Sequence, residues 1–184
     1  MHVIAVIRLS DPTIRTETTV LGCTGCWCDV LTFTKVLEAR LKMYRYEHNR
    51  VMSTPAAAQM LAIQLYSKRF FPYYIGNILV GLDADGKGAV YSYDPVGHME
   101  KHTYRAGGSS AALLQPLLDS QVGLKNMEIV PEEKRKMSKE AAVTLIKDAF
   151  TSAGERDIYC GDSILIRVVT KAGITDEVFQ LRKD

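Results

Sequence analysis

The chain has 184 residues, with 23 basic and 21 acidic side chains and a net charge of +2. So balanced a charge excludes a field strong enough to gather nucleic acid or an anionic membrane surface, and no apolar run approaches the roughly 20 residues that span a bilayer. The length suits a single domain over residues 1–184 with one sizeable core.

Met1-His2-Val3-Ile4-Ala5-Val6-Ile7 is apolar but short, lacks a basic leader and soon meets Arg8, Asp11 and Pro12. It does not read as a signal peptide, and a soluble, intracellular protein is expected. Cys23, Cys26 and Cys28 crowd together, without the even spacing of a secreted disulfide scaffold. Cys23-Thr24-Gly25-Cys26 has C-x-x-C spacing, but no second pair exists, and His48 lies beyond the adjoining helix, so no four-ligand zinc site assembles locally. The simpler expectation is a strand ending near Cys23, a turn at Gly25, and small apolar thiols packing with Trp27 at the mouth of a helix.

Asp29 is the expected cap of that helix, whose apolar positions Val30, Phe33, Leu37, Leu41 and Tyr44 recur at three- and four-residue steps until about Glu47 to Asn49. Thr54-Pro55 supplies an N-cap and a first-turn proline for a second helix with Ala57, Leu61 and Leu65 buried, and Pro72 closes the segment. Ile75 to Leu82 reads as a strand running into Asp83-Ala84-Asp85-Gly86-Lys87-Gly88, whose Asp-Gly pair suits a hairpin turn better than a calcium loop, since no distal glutamate follows. Ala89 to Tyr93 returns, Asp94-Pro95-Val96-Gly97 turns again, and a third short strand leads through Thr103-Tyr104-Arg105. His98 and His102 read as isolated exposed histidines. Gly107-Gly108-Ser109-Ser110 enters a third helix from about Ser109, with Pro116 a potential kink; the glycine pair suits close backbone approach or an anion site, though no P-loop lysine follows. Lys134-Arg135-Lys136, flanked by Glu132 and Glu133, reads as a solvated loop or helix start in the variable-looking connection 122–137. A fourth helix runs from about Ser138, with Val143, Ile146 and Phe150 on one face, and Ser163 to Thr170, Ala172-Gly173 and Glu177 to Leu181 form a terminal hairpin. Strands and helices come in runs, which favours an α+β fold.

Leu31 to Tyr44, Tyr66-Ser67-Lys68-Arg69-Phe70-Phe71-Pro72-Tyr73-Tyr74, Gly86 to Gly97, Glu155-Arg156-Asp157-Ile158-Tyr159 and Leu181-Arg182-Lys183-Asp184 together resemble proteasome beta subunits, collinearly from about Thr19 onward. The resemblance implies the N-terminal nucleophile hydrolase fold, a four-layer α-β-β-α sandwich of two antiparallel sheets flanked by helix pairs. Residues 1–18 match the family's first strands poorly and form a shortened or divergent opening, whether an alternative start, a divergent copy or an error in a gene model. If Met1 to Leu9 supplies just one strand where the family has two before the third, the sheet is left with an uncovered edge or a partly exposed apolar face.

Active family members attack peptide carbonyls with an amino-terminal threonine whose own amine serves as base. This sequence begins Met1-His2. Thr18-Thr19-Val20-Leu21 superficially looks like a mature start, but Glu17 precedes it and the resemblance places Thr19 to Cys23 on a later strand. Ile4 to Ser10 corresponds to the family's second strand without its aspartate, and Arg15 is too basic to act as a base. The family's turn serine aligns with Gly108, its aspartate with Asp157, its downstream serine with Cys160, ahead of Gly161. The resemblance therefore implies a non-catalytic structural beta subunit with no catalytic, cofactor-binding or metal residues and only these vestigial positions. Its partners would be other beta subunits in a seven-membered ring, the alpha ring, a second beta ring and assembly chaperones, with no nucleic acid or membrane partner, in cytoplasm and nucleus. The alternatives are a catalytic threonine peptidase whose terminal threonine lies outside this sequence, or a small-molecule hydrolase of the wider fold.

Overall fold

The computed structural model describes residues 3–8, 13–128 and 137–183. In chain order its elements are β1 (Val3–Arg8), β2 (Thr13–Arg15), β3 (Thr19–Gly25), α1 (Trp27–His48), α2 (Thr54–Tyr66), β4 (Ile75–Leu82), β5 (Gly88–Tyr93), β6 (Met99–His102), α3 (Ala111–Gln121), α4 (Lys139–Gly154), β7 (Ser163–Thr170) and β8 (Gly173–Gln180). They build a five-stranded sheet in the order β2-β3-β4-β5-β6 and a three-stranded sheet β1-β7-β8, every pairing antiparallel.

Alternation along the strands sorts the side chains into layers. On β3, β4 and β5, Leu21, Cys23, Ile75, Leu79, Ala89, Tyr91 and Tyr93 meet the apolar stripes of α1 and α2. The intervening positions Val20, Val80, Leu82 and Val90 face the other sheet and meet Val169 of β7. On β7, Ile164, Ile166 and Val168 point the opposite way, toward Val143 and Phe150 of α4. Leu114 of α3 packs on Ala149 and Ala153 of α4. The result is a four-layer α-β-β-α sandwich, the α+β architecture expected.

Several local expectations are corrected. Asp29 is not the cap of α1: the cap position is Cys26, with no side-chain cap bond. Asp29 Oδ2 instead accepts the Tyr74 N–H at 2.9 Å, fastening the helix to the start of β4. Thr54 is the first residue of α2 and Ser53 the cap, because the Thr54 hydroxyl is turned inward to Thr19. The third strand of the meander is Met99–His102, earlier than Thr103 to Arg105. The turn closes tightly through Gly97 N–H to the Asp94 carbonyl, so pairing with β5 starts at once, and the chain beyond His102 leaves the ladder to carry the Tyr104 hydroxyl to Asp119 Oδ1 at 2.7 Å. α3 begins at Ala111 and continues through Pro116. Of the crowded thiols only Cys23 is buried; Cys26, Cys28 and Trp27 are exposed at the start of α1. Lys134-Arg135-Lys136, with the rest of residues 129–136, lie outside the described residues.

Two strands are described before β3: β1, paired with β7 from Val3↔Val169 to Arg8↔Ile164, and β2, paired with β3 from Thr13↔Gly22 to Arg15↔Val20. Among the described residues β1 is an edge of its sheet, and β8 is the other.

Candidate functional site

Asp157 lies just past the C-terminus of α4, where its N–H bonds the Ala153 carbonyl at 2.8 Å. Its Oδ2 accepts the Ser109 hydroxyl at 2.7 Å and the Ser110 hydroxyl in a shorter contact, while Oδ1 accepts the Tyr159 N–H at 2.9 Å. The carboxylate therefore ties the entrance of α3 to the exit of α4. Gly108 makes that entrance possible. Its φ is +84°, and a Cβ there would stand 3.2 Å from Thr24 Cγ2 on β3.

Three donors hold the Asp157 carboxyl below its ordinary range, first the Ser110 hydroxyl, then the Tyr159 N–H and the Ser109 hydroxyl, against a small opposing effect of burial. An acid so stabilised is a weak proton acceptor, better suited to a clasp than to general base work near neutrality. The anion site expected of the glycine-serine turn thus has an internal occupant for its hydroxyls. Because the folded carboxyl titrates below its unfolded value, the clasp contributes stability above the unfolded carboxyl pKa of about 3.9 and loses it as pH falls through the lower folded value. Asp157→Ala should accordingly be less stable than wild type at pH 7, with the difference closing below about pH 4 in parallel urea titrations. A difference that persisted undiminished at lower pH would show that the ionised carboxylate is not what holds the two helices.

Cys160 adjoins the clasp, its N–H bonding the Asp157 carbonyl at 3.0 Å. Cys160 is half-buried and packs among the α3, α4 and β7 side chains. At Gly161 an added Cβ would meet nothing within 4 Å, so packing gives no reason for a glycine there. Arg15 is engaged elsewhere, with Asp176 Oδ2 and the Ile174 carbonyl of β8, both at 3.3 Å. The side chains of Ile4 to Ser10 lie outside the described residues.

Thr19 opens β3 in the interior, only 4% exposed. Its hydroxyl shares a 2.8 Å hydrogen bond with the Thr54 hydroxyl, and its backbone is paired in register with Gly81. Thr18 is held beside it through its carbonyl, which accepts the Leu82 N–H at 3.2 Å. Thr19→Val would strand a buried Thr54 hydroxyl at a cost of about 1–3 kcal/mol, whereas the Thr19→Val/Thr54→Val pair should recover most of it. Equal destabilisation in the single and double variants, measured by urea denaturation, would contradict a structural hydroxyl pair.

A profile for the family described as Proteasome subunit matches residues 13–169, from β2 into β7. The chain belongs to the proteasome subunit family. It is 55% identical over 166 residues to proteasome subunit beta type-1 of Drosophila melanogaster, covering 90% of this chain and 71% of that protein. With proteasome subunit beta type-1-B of Carassius auratus it shares 56% identity over 169 residues, 92% of this chain and 70% of the relative. With proteasome subunit beta type-1 of Oryza sativa subsp. japonica it shares 46% over 166 residues, 89% and 75%.

Within this proteasome-family fold the histidines are not isolated, contrary to their sequence reading. His98 Nε2 lies 3.2 Å from Glu100 Oε1, and His102 Nε2 is 2.8 Å from Ser92 Oγ. Glu100 is held below its ordinary range chiefly by the His98 hydrogen bond and charge. Alternation puts Glu100 and His102 on one face of β6, and strand pairing sets Ser92 opposite Glu100. The Asp83-Asp85 segment is the hairpin turn expected: Asp83 Oδ1 accepts the Asp85 and Lys87 N–H groups, and Gly86 has φ +72°. Sequence reasoning missed the Ser109/Ser110–Asp157 clasp because no local signal links groups 47 and 48 positions apart.

Proposed function

We propose that this proteasome subunit is a non-catalytic, structural beta subunit of the proteasome core particle. It forms part of the wall of a seven-membered beta ring, set between an alpha ring and a second beta ring, and confines protein degradation carried out by catalytic neighbours. In this role it supports ATP- and ubiquitin-dependent proteolysis in cytoplasm and nucleus, and assembly chaperones attend its incorporation. Relatives named proteasome subunit beta type-1 support the placement in a beta ring.

The condition of Thr19 is the observation that carries the non-catalytic part. A nucleophile of this type needs a free amine beside an exposed hydroxyl. Thr19 instead has a peptide nitrogen within a strand and a hydroxyl buried against Thr54. Asp157, matching the position of the family's aspartate, is occupied by two serine hydroxyls and a backbone N–H.

The test is to tag the chain in cells, purify core particles and treat them with a threonine-directed epoxyketone. The tagged subunit should co-purify with alpha and beta subunits and remain unlabelled while its catalytic neighbours are modified. Covalent labelling of the tagged chain would overturn the non-catalytic assignment, and its absence from purified particles would overturn the structural one.

A further inference from the structure

Helix α2 and the loop after it display an uncommon surface. Ile63 and Tyr66, three residues apart on α2, are mostly exposed, and beyond them Phe70 and Phe71 are 99% and 87% exposed. Tyr74 is 76% exposed and its carbonyl accepts the Cys26 N–H, which brings the half-exposed Trp27 alongside. Scattered apolar side chains on a surface need no explanation; six large ones joined along one loop and its anchor do.

The loop that carries them is fixed. Lys68, Arg69 and Phe71 N–H groups bond the carbonyls of Leu65, Tyr66 and Lys68, and the Ser67 hydroxyl bonds the Gln64 carbonyl. Asp29 receives the Tyr74 N–H, and Tyr73 packs its ring on buried Phe33 at 5.3 Å between centroids. The backbone that carries the exposed aromatic side chains is thus pre-organised, and a partner that covers them incurs little backbone ordering entropy. Between them Lys68 and Arg69 are exposed, and neither has a carboxylate at ion-pair distance among the described residues.

We infer that this surface docks a neighbouring proteasome-family subunit, which presents an apolar depression rimmed by carboxylates. The two phenylalanines fill the depression, and Lys68 and Arg69 meet the rim. Aromatic anchors ringed by charge are the usual form of an interface hot spot, and complementary charge sets partner choice and encounter rate. The inference rests on the assembly reading above and adds the surface and the chemistry of its partner.

Phe70→Ser/Phe71→Ser tests it, since side chains so exposed leave the isolated fold intact, which an unchanged urea midpoint verifies. Wild type should enter core particles, and the double variant should enter at least about tenfold less well. Lys68→Glu/Arg69→Glu should also impair entry, whereas Lys68→Arg/Arg69→Lys, which keeps the charge, should not. A photo-crosslinker at position 70 should capture another proteasome subunit in the assembled particle, at a segment flanked by Asp or Glu. Entry of the phenylalanine variant at wild-type level, indifference to charge reversal, or a crosslink to any protein outside the family would overturn the surface alone. Failure of wild type to enter particles would overturn the assembly reading and this inference with it.

Discussion

Truncating Phe33 to alanine should cost about 3–5 kcal/mol, the range for large aromatic side chains removed from a packed core. Phe33 is fully buried between α1 and the five-stranded sheet, within the cluster that includes Leu21, Leu61, Ile75 and Leu79. It also supports the ring of Tyr73, so its loss leaves a cavity and slackens the base of the aromatic loop. Against a domain stability of about 5–15 kcal/mol, the variant would sit near the limit of folding. The measurement is a urea titration: the midpoint should fall while the slope stays constant. A shift under about 1 kcal/mol would mean that the helix layer collapses into the space.

Gly25→Ala should be nearly as damaging for a different reason. Gly25 ends β3 with φ +115°, where L side chains rarely sit, and an added Cβ would stand 2.5 Å from the Tyr74 carbonyl oxygen and 3.1 Å from Ile75 Cα. Both obstacles are backbone, where the chain enters the strand paired with Gly25, at the Cys26–Tyr74 hydrogen bond that starts α1. Strain and clash together should cost about 3 kcal/mol or more. Gly173→Ala is the internal control, because Gly173 has φ +126° but nothing within 4 Å of the added atom. It should lose only the conformational part, about 1–2 kcal/mol. Equal losses at the two sites in thermal and urea unfolding would show that the contact with β4 yields freely.

These two positions differ in how far they could be read in the sequence. The step of three and four from Val30 through Phe33 to Leu37 marks Phe33 as core-facing before any tertiary contact is known, because helical period and burial are coupled locally. The turn at Gly25 is legible as well, but the Tyr74 carbonyl that makes a side chain intolerable there comes from the residue just before β4, about fifty positions away. Distant residues were readable only through family resemblance, which carried the four-layer sandwich and drew attention to Asp157. It could not show that Ser109 and Ser110 hold that aspartate.

The sequence by itself determined the helices and strands with strong periodicity, the glycine turns and the family, since each depends on neighbours along the chain or on long collinear matches. Tertiary structure decided where the polar groups go. Asp29 left the expected cap for the Tyr74 N–H, and Thr54 turned from its cap to Thr19. His102 found Ser92 across the strand pair, and Asp157 joined two helices. A hydrogen bond is satisfied by whichever partner the packed layers bring within about 3 Å, and that choice is made only after the apolar pattern has stacked the layers.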